Sequence, residues 1–401
     1  MKPLENIQQA IAQEIEQSEA KRITFAQFMD LALYHPQFGY YAAPPSVIGA
    51  QGDFVTSPHM GRDFGEVVAE QFVDMWERLG RPSRFDLVEM GAGQGLIAGD
   101  AIAYLQSHHP NCFSTLNYTI IEKSDALRAE QQQRLSHWNE QGISISWQSL
   151  NAIAPSSITG CAFSNELIDA FPIHWLEIQG QKLQEVYVTQ NVTQNEHGFS
   201  AQIGELSTSK LESYFEQIGI DLSNYPEGYR TEVNLAALDW IAQIADKIDR
   251  GYLLTIDYGY TAQRYYSPAR TEGTLQCYYQ HAHHSDPFIH ISEQDITAHI
   301  DFTALEVQGT RIGLQPLGFT QQGLFLMALG LGDRLNALSQ VNSDRTAKPT
   351  DIQAIMRRRE VLQQLINPMG LGNFGVLIQA KGLTAKEIAS PLKGLTIPPM
   401  I

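Results

Sequence analysis

The chain has 401 residues, which is long enough for an α/β core with a substantial addition. Its 43% apolar and 18% charged residues are those of a folded protein and exclude disorder along the whole chain. A formal net charge of −17 argues against nucleic acid, a polyanion held by basic surfaces, and suits a cationic partner better. Arg357-Arg358-Arg359 is the one basic cluster, and it falls in a helical pattern as a solvated face. Cys112, Cys161 and Cys277 lie far apart and form no CxxC pair. Neither a zinc site nor a disulfide framework is expected, and a reducing compartment is the natural home. The first six residues carry an early acid and no apolar stretch, so they read neither as a secretory signal nor as an Arg-rich transit peptide. No apolar run approaches the roughly 20 residues of a membrane helix.

In chain order, the first 80 residues read as a helical cap. Ile7, Ile11 and Ile15 recur at helical spacing, and a second helix starts after Thr24 as N-cap. Residues 35–45, rich in Pro, Gly and Tyr, read as a loop, and helical spacing resumes over 64–79. A core is expected over 81–401, with inserts at about 173–235 and 261–300. Its first strand is Phe85–Met90, followed by glycines and a helix over 98–105. Further strands are expected at 118–122, 143–147, 161–164, 251–260 and 375–380, with a polar helix to about His137. Strands alternating with helices predict a parallel sheet with right-handed crossovers. Residues 176–205 alternate apolar and polar and read as a β-hairpin turning at 194–198. Residues 261–300 are aromatic, His-rich and loop-like.

The segment Glu89-Met90-Gly91-Ala92-Gly93-Gln94-Gly95 lies between a strand and a helix. Glycines there permit a tight turn and close ligand approach, and the helix start offers free N–H groups. The dinucleotide fingerprint G-x-G-x-x-G would need a glycine at 96, where the chain has Leu96. The spacing G-x-G-x-G with an acid two residues upstream resembles motif I of class I methyltransferases. S-adenosylmethionine carries a sulfonium and an ammonium and no pyrophosphate, so nearby carboxylates suit it. Glu122, at the end of the second strand, is placed to accept hydrogen bonds from the ribose hydroxyls.

Other segments narrow the choice. They are Gly52-Asp53-Phe54-Val55-Thr56-Ser57-Pro58 with Phe64-Gly65-Glu66, Ser164-Asn165-Glu166-Leu167-Ile168-Asp169-Ala170-Phe171-Pro172, Asp257-Tyr258-Gly259, 273–278 and 293–302. Together they resemble the MidA family of methyltransferases over about residues 24–382. That family includes the mitochondrial complex I assembly factor with protein-arginine methyltransferase activity. The resemblance implies a class I (Rossmann-like) α/β fold: a twisted seven-stranded sheet with one closing antiparallel strand and helices on both faces. It also implies a protein arginine as acceptor, symmetrically dimethylated on a complex I subunit by the mitochondrial member. His59 stands where the family usually has an acid, and Gly91-Ala92-Gly93-Gln94-Gly95 replaces its common Gly-Pro-Gly-Arg-Gly. The glycines are kept. Without a transit peptide, a bacterial-type cytoplasmic member is expected.

The cofactor is therefore expected to meet Asp53, Ser57, Glu89, Gly91, Gly93, Gly95, Glu122 and Asn165. Glu166 and Asp169, at a strand's carboxyl end, are assigned to catalysis at the acceptor, against a bland reading of Asp169 as a helix cap. Asp53 and Ser57 close over the cofactor or form a turn before Pro58. Asp257, Asp295, His299 and Asp301 are expected to bind the acceptor. The alternatives are that Asp295 and Thr297 cap a helix entering at Ala298, and that His299 is a hydrogen-bonded core histidine. Cys277, His281, His283 and His284 lack the second half of a zinc site, so no metal is expected. Phe38, Tyr40, Tyr41, Tyr258, Tyr260, Tyr265 and Tyr266 either wall an acceptor channel or pack in the core. Methylation of a small molecule, and an assembly chaperone that keeps the cofactor only structurally, are the rival functions.

Overall fold

The structure is a computed structural model and describes residues 6–42, 56–193, 196–341 and 349–398. Its centre is a seven-stranded sheet of β1 (Phe85–Met90), β2 (Leu116–Ile121), β3 (Ser144–Trp147), β4 (Ile158–Asn165), β5 (Ile248–Asp257), β6 (Gln315–Gln321) and β7 (Gly375–Lys381). The order is β3-β2-β1-β4-β5-β7-β6. Strands β1 to β5 pair in parallel, and β7 runs antiparallel to both β5 and β6. This is the expected sheet with its single reversed strand.

Alternate side chains of each strand feed two cores. Phe85, Leu87, Tyr118, Phe163 and Leu254 pack with helices Asp63–Arg78 and Leu96–His108. Val88, Met90, Ala162 and Leu253 pack with helices Leu235–Lys247 and Phe302–Arg311 on the other face. With helices on both faces the strands are apolar throughout, and every residue of β1 is buried. The carboxyl ends of β1, β2 and β4 remain open, where α/β sheets bind ligands.

A second layer is built from the first insert. His174–Gln179, Lys182–Thr193, Glu196–Gly204 and Arg230–Val233 form an antiparallel sheet that also takes in the two-residue strand Ile23–Thr24. Helices Ile7–Gln17 and Phe25–Tyr34 cover it through Ile11, Ile15, Phe25, Phe28 and Met29. Thr24 caps the second helix in a reciprocal box with Gln27. The hairpin is present, although residues 194–195 of its expected turn lie outside the described residues.

Four features differ from the sequence reading. Helix Asp63–Arg78 packs with the central sheet and not with the two helices before it. It is joined to the later helices by Asp63, which bridges Arg334 at 2.6 Å and Arg358 at 2.6 Å. Arg358 is therefore an anchor, while Arg357 and Arg359 are exposed as expected. Strand β6 was not legible, because Pro316 and Gly318 interrupt its pattern and the register shifts between them, as edge strands tolerate. Residues 261–300 contain three short strands, Gln276–Tyr279, Ala282–His284 and Asp295–Thr297, which form their own small sheet. Strands of three or four residues are too short to show alternation.

Candidate active site

The open strand ends lead into a cavity of about 360 Å³ that contains both the glycine loop and the acids after β4. Gly91, Gly93 and Gly95 have φ of +70°, +53° and +73°, a region in which a side chain is strained. At Gly91 an added methyl would stand 2.6 Å from Cδ1 of Leu167. At Gly93 nothing lies within 4 Å of that position, so the loop leaves a cradle open beside its backbone. Gly95 is the N-cap of helix Leu96–His108 with no side-chain cap hydrogen bond among the described residues, and Leu96 and Ile97 at the helix start line the cavity.

Glu122 follows β2 and is held from both sides. Its carboxylate accepts the Ser124 N–H at 2.9 Å and the Gln131 side chain at 3.1 Å. Gln131 also donates to the Gly93 carbonyl at 2.7 Å, which ties the acid to the glycine loop. Glu89 lines the same cavity and accepts the Tyr118 hydroxyl at 2.7 Å. Burial pushes its carboxyl up to about 8, against the pull of that hydroxyl.

After β4 the chain turns sharply. Glu166 has φ +51°, rare outside glycine, and receives N–H groups from Ser57 at 3.1 Å and from the Asn165 amide at 3.1 Å. Burial first, then Asp169, raises it to about 8. Asp169 is 6% exposed, and burial raises it to about 6 while the Tyr258 hydroxyl lowers it. Asn165 Oδ1, Glu166 Oε2 and Asp169 Oδ1 are buried with no hydrogen-bond partner among the described residues. Asn165, Glu166 and Asp169 line the cavity.

These orphaned atoms test the expected cofactor. Buried acceptors without donors are costly, and buried carboxylates want a cation. Neither Glu89 nor Glu122, Glu166 or Asp169 has a Lys or Arg ion-pair partner among the described residues. A ligand with a sulfonium, an ammonium and ribose hydroxyls suits Glu89, Glu122 and Asn165 on its side of the cavity, and these residues fit it.

The remaining expected residues separate. Asp295 reaches the cavity and accepts the Tyr41 hydroxyl at 3.0 Å. Asp257, Asp301 and His299 do not line it. Asp257 is fully buried beneath the β4 turn and accepts backbone N–H groups from Leu167, Ile168, Asp169 and Tyr258. Burial, then the charges of Asp169 and Glu166, push its carboxyl above the ordinary range, and the amides pull against them. Asp301 is the N-cap of helix Phe302–Arg311 and accepts the Tyr214 hydroxyl at 2.9 Å. The cap expected of Asp295 or Thr297 therefore falls to Asp301, because residues 295–297 are strand. His299 sits edge-on to Tyr258 and Tyr260, and burial lowers its pKa to about 4, so it is neutral. Ser57 lies behind the wall, with its hydroxyl on Gln322, and acts on the cavity through Glu166. Asp53 lies outside the described residues. Tyr265 and Tyr266 are core, bonded to Glu232 and Tyr214. Among the described residues no group of His, Cys, Asp or Glu could hold a metal ion.

Sequence reasoning missed two things. Tyr34 lines the cavity, stacked on Tyr41 at 5.3 Å with its hydroxyl on the Ala170 carbonyl at 2.9 Å. His59 and Gln94, two of the three departures from the family pattern, meet at the cavity rim, where burial lowers the pKa of the imidazole and Gln94 pulls against it. Each departure was visible in the sequence, but only folding brings residues 59 and 94 together.

A sheet ordered 3-2-1-4-5-7-6, a glycine turn after its first strand, an acid after its second and orphaned acceptors after its fourth define a Rossmann-like methyltransferase. A family model described as an S-adenosyl-L-methionine-dependent methyltransferase matches residues 67–320, and the chain belongs to that family. It is 29% identical over 338 residues to the mitochondrial protein arginine methyltransferase NDUFAF7 homolog of Drosophila melanogaster, covering 79% of this chain and 73% of that one. The Caenorhabditis elegans homolog is 28% identical, covering 91% and 84%. A Burkholderia thailandensis structure bound to S-adenosyl-homocysteine superposes with a TM-score of 0.81 at 27% identity, covering 97% of this chain and 95% of that one. The protein is an S-adenosylmethionine-dependent methyltransferase.

Proposed function

We propose that the protein methylates arginine side chains of a protein acceptor, a subunit of a respiratory complex I-like assembly. The observation that carries this is the turn after β4. Asp169 and Glu166 present buried carboxylate oxygens without donors, in the same cavity as the glycine loop. A guanidinium is a planar fork of N–H donors and stays charged in water, so it answers both the missing hydrogen bonds and the missing charge. The relatives named protein arginine methyltransferases support the same acceptor.

S-adenosylmethionine, when bound, supplies a methyl group on a sulfonium. The residues of this chain have three tasks. Gly91, Gly93, Glu122 and Asn165 hold the donor. Asp169 and Glu166 orient the acceptor nitrogen for in-line approach, where alignment sets much of the rate. Glu166, raised to about 8 by burial and by Asp169, is pulled toward the carboxylate form by an arriving guanidinium and then stands as acceptor for the proton that must leave.

The test compares arginine methylation by mass spectrometry in strains with the native protein, without it, and with Asp169→Asn. Methylarginines that vanish without the protein and fall at least about tenfold with Asp169→Asn are expected. A methylarginine profile that ignores the protein sinks the acceptor assignment.

A further inference from the structure

Asp257 ends β5 directly beneath the turn that carries Glu166 and Asp169, and its side chain is fully buried. Its Oδ2 accepts N–H groups from Leu167 at 3.2 Å, Ile168 at 2.9 Å and Asp169 at 3.4 Å. Its Oδ1 accepts the N–H of Tyr258 at 2.9 Å. Three consecutive amides thus converge on one oxygen, while the other oxygen fixes that carboxylate to its own strand.

The turn needs such an anchor. Glu166 enters it with φ +51°, and its own N–H goes to the Ile256 carbonyl, next to Asp257. The turn's carbonyls are held from other elements: Ile168 by the Asn234 side chain at 3.1 Å, Asp169 by the Ala298 N–H at 2.9 Å. Its amides at 167–169 have Asp257. Placing a third carboxylate behind two that face the cavity adds like-charge repulsion and desolvation, which a purely structural core would avoid with an apolar residue. An acid is used here because only an acceptor with several lone pairs can gather three adjacent N–H groups.

We propose that Asp257 is the positioning residue of the methyl-transfer site. It fixes the backbone from Leu167 to Asp169 so that the Glu166 and Asp169 carboxylates are held in their transition-state geometry before the acceptor arrives. Of the donor's contacts, Gly93, Gly95 and Glu122 lie away from it, Gly91 meets the turn only at the Leu167 side chain, and Asn165 belongs to β4, ahead of the turn. The role rests on methyl transfer alone and not on which acceptor is used.

The experiment compares native protein, Asp257→Asn and Asp257→Ala in three measurements. These are S-adenosylmethionine binding by calorimetry, S-adenosylhomocysteine release with an extract from a strain lacking the protein, and amide hydrogen exchange. Asn keeps a carbonyl oxygen for the three amides and loses the Tyr258 anchor, so it is the graded variant. Turnover is expected to fall about tenfold for Asn and about a hundredfold for Ala, with donor affinity unchanged within about threefold. Exchange at Leu167, Ile168 and Asp169 is expected to speed up more than about tenfold in Ala, with β1 and β5 unaffected. Native turnover or native exchange in Ala overturns the proposal. So does a loss of donor affinity as large as the loss of turnover, which makes Asp257 a general prop. If Ala does not fold, a folded Asn variant with native turnover and native exchange overturns it alone. Release of S-adenosylhomocysteine without methylarginine in the products rejects the arginine assignment and leaves the positioning role readable from the rates.

Discussion

Two turns leave the carboxyl end of the sheet side by side, one after β1 and one after β4, and they solve opposite problems. The glycine turn removes side chains so that a ligand can reach the backbone: Gly91, Gly93 and Gly95 all take positive φ. The acidic turn keeps its side chains, puts a glutamate at positive φ, and is held there by the Glu166 N–H donating to the Ile256 carbonyl and the next three N–H groups donating to Asp257. They touch where Gly91 meets Leu167, which lets the donor loop and the acceptor turn share a wall. A site for two substrates is built here from one surface emptied of atoms and one loaded with unpaired acceptors.

The largest expected effect breaks the glycine side. Gly91→Ala places a methyl 2.6 Å from Leu167 Cδ1 at φ +70°. It should abolish donor binding by more than about a hundredfold in calorimetry and lower stability by about 2 kcal/mol, where Gly93→Ala, with open space around it, costs about 1 kcal/mol. Equal stability losses in the two variants would show that contact between the turns is not what constrains Gly91.

A middle-sized effect sharpens the acidic side. Glu89 and Glu166 have pKa values raised to about 8, above the ordinary 4.5. For these two groups the empty protein's stability is full below pH 4.5 and declines as pH rises toward 8. A cationic donor favours the charged form of Glu89, so its affinity should rise roughly tenfold from pH 6 to pH 8.5 and then level, with proton release on binding. Calorimetry in two buffers of different ionisation heat reads this directly, and Glu89→Gln should reduce the released protons. An affinity flat across that range removes the unpaired-acid account.

The smallest effect concerns a residue left out of both turns. His299 is neutral at pH 7, with a pKa near 4, and does not line the cavity. His299→Ala should change turnover and donor affinity by less than about threefold. A tenfold loss of turnover at constant donor affinity would return it to the acceptor site.

The donor half was readable because its evidence is local. Three glycines, an acid two residues upstream and an acid one strand later lie within 34 residues, Glu89 to Glu122, and each meaning follows from a strand-turn-helix context. The acceptor half was readable only as a list of acids. Asp257, Asp295 and Asp301 are alike in sequence, yet one anchors a turn, one reaches the cavity and one caps a helix. What separates them is which element each strand end abuts, a long-range fact. Asp295 is delivered by a three-residue strand that shows no periodicity, and Tyr34 by a helix whose docking depends on the insert sheet. The fold followed the same division: buried parallel strands announced themselves, while the edge strand with Pro316 and the small sheet near Cys277 did not.

The strand pairing has a further consequence for how the chain is made. Ile23 and Thr24 pair with Val188 and Tyr187, so the helices around them have no sheet to cover until roughly 160 more residues have left the ribosome. The central sheet waits longer still, because β7 must slot between β5 and β6 near residue 380 before β5 has its second neighbour and edge strand β6 has any. Both layers therefore close late, and long-range closure of this kind is slow. During synthesis the apolar faces of the early helices and the unpaired edge of β5 stand exposed together until both layers close.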